Sequence, residues 1–118
     1  MMKQMLMTAV KNSISNVMET MFFLPVELGP ETTWADCGMD TAPVLACQLE
    51  FSGDVSGTFI LAAPETLVLE MTENFMGESE ARLLPVHLSG TLTEMLNMAC
   101  GNALSSIPTS VPFELGIP

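Results

Sequence analysis

The apolar residues of this chain keep one period, switch to another, and then return to the first. Val10, Ile14, Val17, Met18, Met21 and Phe22 recur at three- and four-residue steps, so a helix would gather them on one face. Leu24-Pro25 ends that pattern, because proline restricts the residue before it and has no N–H for the preceding turn. From Leu45 the period drops to two. Leu45, Cys47, Leu49 and Phe51 alternate with Ala46, Gln48 and Glu50, which reads as a half-buried strand. Gly53-Asp54-Val55-Ser56-Gly57 supplies turn chemistry and Thr58 to Ala63 a second strand, so the pair reads as a β-hairpin. The helical period then resumes. Pro64 suits a first helical position, Glu65 suits the positive end of the helix dipole, Leu67, Val68, Met71 and Phe75 form a buried stripe, and Gly77 closes the helix. This order predicts an α+β domain, a mainly antiparallel β-sheet with helices packed on it.

At 118 residues the chain has room for one such domain and one core, so residues 1–118 are read as a single unit. Residues 26–43 are rich in glycine, proline and aspartate and read as loop, with a short strand around Thr32 to Trp34. Trp34, the only tryptophan, is expected to anchor that loop on the core. Residues 78–86 form an acidic linker ending in Leu84-Pro85. A third helix is expected from about Ser89 to Leu104, with Val111 to Ile117 beginning another strand.

Charge narrows the possible partners. Fourteen acids against three bases give −11, and Lys3, Lys11 and Arg82 cannot make a basic stripe. Nucleic acid and anionic membrane, which are bound through Lys and Arg, are therefore not expected, whereas a protein surface with exposed positive charge is. Three cysteines without a CxxC pair and a single histidine, His87, argue against a disulfide scaffold or a zinc site, so no metal is assigned. The eleven methionines read as core filling rather than copper ligands. Gln4, Thr8, Lys11 and Asn12 interrupt the N-terminal apolar run, and no stretch approaches the roughly twenty apolar residues of a membrane span, so a cytoplasmic protein is expected. His87 is expected to cap or pack, and Cys100 to be buried rather than nucleophilic.

The third helix carries the most informative pattern. Projected at about 100° per residue, Leu88, Leu92, Met95, Leu96, Ala99 and Ala103 form a core face. Gly90, Glu94, Asn97 and Gly101 fall opposite, in an arc of roughly 60°. A solvated face would be rich in Glu and Lys. This one has one carboxylate and one carboxamide a turn apart, bordered by two glycines that each cost about 1 kcal/mol relative to alanine. Such a face leaves room for another molecule to approach closely. A plainer reading stays open at this point: Thr91 as N-cap with Glu94 closing a capping box, and Gly101 as C-cap of a short helix.

Glu94-Met95-Leu96-Asn97-Met98-Ala99-Cys100-Gly101-Asn102-Ala103 resembles the Glu-x-x-Asn-Met-x-x-Gly helix of the CheC/CheX family of chemotaxis phosphatases. Ile14 to Val26 is similar to the family's opening helix, Leu49 to Leu61 to its hairpin, and Glu65 to Gly77 to its second helix. A single Glu-x-x-Asn motif makes the likeness closest to CheX, since Asn16 and Glu19 of the first helix occur in reverse order. Two departures stand out. Gly90 occupies a position where the family usually has Asp or Ser, with Ser89 one place off. Pro118 lies at about the distance after Asn97 where the family carries a proline followed by further strands, and the expectation is either a truncated form or a sheet completed otherwise, for instance by a second subunit.

The resemblance implies hydrolysis of the aspartyl phosphate on a CheY-like response regulator. Catalysis would rest on Glu94 and Asn97, while Gly90 and Gly101 would let the regulator come close. No cofactor of the chain's own is implied, since Mg²⁺ belongs to the regulator, and a homodimer is expected. The alternative is a non-catalytic interaction module, related in fold to flagellar switch proteins.

Overall fold

The hairpin forms where the alternation begins. In the computed structural model, which describes residues 2–38, 43–53, 55–77, 83–107 and 114–116, β1 (Val44–Ser52) pairs antiparallel with β2 (Gly57–Pro64), with Leu45 opposite Ala63 and Leu49 opposite Phe59. Leu49, Phe51 and Ala63 are buried on one face, while Ala46, Gln48 and Glu50 are exposed on the other. The stacked rings of Phe51 and Phe59, 4.6 Å between centroids, add a cross-strand contact on the buried face. A short β3 (Glu114–Leu115) lies on the other side of β1, giving the order β2-β1-β3. Leu115 is opposite Phe51, and the Gly116 N–H donates to the Glu50 carbonyl at 2.9 Å. The strand expected over Val111 to Ile117 is thus found at Glu114–Leu115 and stops before Gly116, while residues 111–113 and 117 lie outside the described residues. Asp54, residues 78–82 of the acidic linker including Arg82, and Pro118 lie outside them too.

Among the described residues three helices cover the buried face of this sheet: α1 (Met2–Met21), α2 (Glu65–Met76) and α3 (Pro85–Ser106). The antiparallel sheet with packed helices is the α+β arrangement expected from the change of period. α1 starts well before Val10 and adds buried Leu6 to the apolar stripe. It runs antiparallel to α3, since Leu6 and Val10 pack with Ala103, Leu104 and Ile107 while Val17, Met18 and Phe22 pack with Met95 and Ala99. In α2, Val68, Met71 and Thr72 are buried, with the Thr72 hydroxyl donating to the Val68 carbonyl at 2.7 Å. Pro64 is not the first helical residue. It ends β2 opposite Val44, and the Glu65 N–H donates to the Pro43 carbonyl at 2.9 Å. Phe75 is more exposed than a stripe residue should be, although its ring tilts against Phe22 at 5.4 Å.

α1 and α2 both end on a left-handed residue. At α2 this is Gly77 (φ 68°), whose N–H donates to the Glu73 carbonyl at 2.9 Å. At α1 it is Phe23 (φ 58°), where a Cβ and a ring make the same conformation unfavourable by roughly 1–2 kcal/mol. The turn persists because its neighbours hold it. The Leu24 N–H reaches back to the Met18 carbonyl at 3.0 Å, and the Asn74 side chain donates from α2 to the Phe22 carbonyl at 2.8 Å.

Two expectations for residues 26–43 fail. Thr32 to Trp34 is not a strand, because residues 34–38 turn. The Asp36 N–H is taken up by the Thr33 carbonyl at 3.1 Å and the Cys37 N–H by the Trp34 carbonyl at 3.4 Å, so neither is free for a ladder. The Thr33 hydroxyl donates to Asp36 Oδ2 at 3.0 Å and locks the turn. With its bonding satisfied locally, the segment turns Trp34 outward, 54% exposed, and Trp34 anchors nothing on the core.

Candidate functional site

α3 starts one turn earlier than the periodicity suggested. Pro85 takes the first helical position, where its missing N–H costs nothing. His87, inside the first turn rather than before the helix, accepts the Leu84 N–H on Nδ1 at 2.9 Å and so caps the end. These contacts remove the plainer reading of the motif. Thr91 is buried within the helix, its hydroxyl donating to the His87 carbonyl at 2.9 Å, and is no N-cap. Gly101 is no C-cap either, since the helix continues to Ser106. Glu94 and Asn97 therefore sit mid-helix, free of capping duty.

α3 contributes to every cluster of the core. Ala103, Leu104 and Ile107, which follows the helix, pack with Leu6 and Val10. Met95 and Ala99 pack with Val17, Phe22 and Met71, Leu96 and Cys100 pack under Leu49, and Leu92 packs with Val68 and Ala63. α1, α2 and the sheet thereby enclose most of its circumference. The open strip contains Gly90, Glu94 and Asn97, all exposed, and half-buried Gly101. Glu94 and Asn97 lie one turn apart, about 4.5 Å along the axis and 60° around it. Among the described residues neither side chain has a hydrogen-bond or ion-pair partner. A Cβ on Gly90 would meet nothing within 4 Å, and one on Gly101 only the Leu115 side chain at 4.0 Å. Packing among the described residues therefore requires glycine at neither position. Pattern reading missed Val86, which had been assigned to the linker. With α3 starting at Pro85, Val86 lies one turn before Gly90 on the same strip and is 66% exposed.

The thiols on the other side of α3 are withdrawn from chemistry. Burial pushes the Cys100 thiol up to about 12, helped by nearby Cys47, and burial raises Cys47 as well. The Cys47 thiol points to the Leu92 carbonyl at 3.6 Å.

A rigid helix that opens one strip, bearing an unengaged Glu-x-x-Asn pair, is the arrangement that comparison with known proteins can test. The model of the family "Chemotaxis phosphatase CheX" matches residues 45–118, which include the hairpin from its second residue, α2 and all of α3. The chain belongs to the CheX family. A CheX chemotaxis protein from Vibrio vulnificus superposes with a TM-score of 0.74 at 21% identity, over 95% of this chain and 74% of that one. A CheC-like superfamily protein from Shewanella sp. PV-4 gives 0.72 at 19% identity, over 96% and 73%. At these identities the likeness is one of fold. No match is found among curated proteins. Membership makes this a chemotaxis phosphatase by family. Among the described residues, no helix is long and apolar enough to cross a membrane.

Proposed function

We propose that this CheX family member hydrolyses the aspartyl phosphate of a CheY-like response regulator, with Asn97 and Glu94 as the catalytic pair. An acyl phosphate is already activated, and the regulator brings its own Mg²⁺ and lysine to the phosphoryl group. What it lacks is a water held in line with the P–O bond. The Asn97 carboxamide accepts from that water and donates to a phosphoryl oxygen, orienting the nucleophile without adding charge. An aspartate there would repel the phosphoryl oxygens. Glu94, one turn back, pairs with the regulator's lysine and fixes the register of the two proteins. Gly90 and Gly101 let the regulator's active-site rim approach the helix backbone.

The observation that carries this reading is the outward placement of Glu94 and Asn97, without a partner among the described residues, on a helix otherwise enclosed by its own protein. Phosphate release from a phosphorylated CheY-type regulator tests it. Asn97→Ala is expected to slow turnover about a hundredfold with little change in binding, the scale of one positioned transition-state contact. Glu94→Ala should weaken both. A wild-type rate from Asn97→Ala refutes the assignment.

Gly90 favours a second reading, since it stands where the family usually has Asp or Ser: a CheX-like module that binds a regulator without hydrolysing its phosphate. The same assay separates the two, because a pure binding module releases no phosphate above the regulator's own rate. A cytoplasmic setting is part of the same proposal. A homodimer is part of the proposal. β2 is an edge strand among the described residues, and its unpaired backbone groups offer a second chain a ladder.

A further inference from the structure

An exposed apolar patch surrounds the strained end of α1. Phe23 is 70% exposed, and Met21 at the end of α1 and Phe75 and Met76 at the end of α2 are also open to solvent. Phe22 and Phe75 pack ring against ring, and Phe22 shares a cluster with Met95, Ala99 and Met98 of α3. Met98 follows Asn97 in sequence and lies one turn after Glu94. The antiparallel run of α1 along α3 thus brings the end of α1 to the Met95 end of the helix, where Met98 borders the strip.

Strain sets Phe23 apart from an ordinary exposed aromatic. A left-handed helix end asks for glycine, and α2 has it at Gly77; α1 has phenylalanine and needs the Asn74 hydrogen bond to hold the turn. Strain kept in place by a second element marks positions where conformation serves a task. The surrounding charge says what kind of surface the ring meets. Exposed Glu19 lies one turn before Phe23 on α1, and exposed Glu70 lies on α2. Lys11, the nearest cation along α1, is about 18 Å away by helix rise, beyond the screening length, and is paired with Glu31 at 3.9 Å.

We infer that Phe23 is a docking anchor, an aromatic ring held out by a strained helix end to enter an apolar hollow rimmed by Lys or Arg on the response regulator that receives Asn97. The inference rests on the regulator-phosphatase reading and adds a second contact to it. Two contacts on different helices fix the rotation of the regulator about the α3 strip, which a single Glu–Lys pair leaves loose.

The test measures Kd for a beryllofluoride-loaded CheY-type regulator at low and moderate salt, with thermal melts of the same samples. Phe23→Gly relieves the left-handed strain and removes the ring, so it is expected to melt higher, by about 2–5 °C, and to bind about ten- to thirtyfold more weakly. Phe23→Trp should keep wild-type affinity, and added salt should weaken wild-type binding. Phe23→Gly within twofold of wild-type affinity overturns the anchor. So does a Phe23→Gly effect confined to self-association in sedimentation, which would assign the ring to a second copy of this chain. If wild type binds but releases no phosphate, the phosphatase reading fails while the anchor stands or falls on Phe23→Gly alone. If wild type does not bind the loaded regulator, both fall.

Discussion

The two sides of α3 obey different rules. Its inner side reads as a packing problem solved: Leu92, Met95, Leu96, Ala99 and Cys100 fill the space between α1, α2 and the sheet almost without solvent contact. Its outer strip reads as a packing problem left open, with two glycines that no neighbour among the described residues demands and two polar side chains that none of them satisfies. A helix optimised only for stability would carry alanine, lysine or glutamate there. The enclosed side holds the backbone still, and under the proposed function the open strip uses that rigidity to present two side chains to a partner. Changes on one side should therefore move stability, and changes on the other should move function.

The largest contrast is in thiol reactivity. With its pKa pushed up to about 12 from 9.0, Cys100 at pH 8 presents a thiolate fraction roughly a thousandfold below that of an ordinary thiol. Iodoacetamide should leave it untouched in the folded protein and label it after denaturation; rapid native labelling would mean that the inner side opens. The same shift has a thermodynamic sign. The unfolded thiol ionises near pH 9 while the folded one keeps its proton. The stability this group contributes is whole below pH 9 and is lost as pH rises towards about 12. Leu96→Ala attacks the same side by volume. Leu96 packs in one cluster with Leu49 and Cys100, and its truncation should cost about 3 kcal/mol by denaturant unfolding. Asn97→Ala, on the outer strip, should leave that unfolding curve in place and cost its factor of a hundred in turnover alone.

This division explains what was legible in the residues and what was not. The hairpin and the core side of α3 follow from periodicity, because burial on one face leaves its mark at every second residue or every turn. The outer strip was legible by contrast, as a polar and small face too poor in charge to be ordinary surface. Val86 was hidden because Leu84-Pro85 reads equally as a linker's end or a helix's start, and the His87 cap that decides it is a three-dimensional contact. Trp34 misled because an indole normally predicts burial, while three short-range bonds between Thr33 and Asp36 override that preference. Phe23 could not be read at all. A left-handed phenylalanine has no sequence signature, and it persists through Asn74, some fifty residues away in sequence.

Gly90→Ala gives the smallest effect and the finest test of the two-sided helix. An added methyl meets nothing within 4 Å, and the backbone is helical, so the fold should gain about 0.5–1 kcal/mol from the better helix former. On a merely solvated surface nothing else would change. If the strip instead receives a regulator's active-site rim, the methyl occupies space reserved for the partner, and KM for the phosphorylated regulator should rise severalfold while the protein melts higher. Stability and affinity moving in opposite directions would show that the glycine is kept for what lies outside the chain. Should Gly90→Ala gain stability with KM unchanged, the close approach must occur nearer Asn97 and Gly101, and Gly90 leaves the interface.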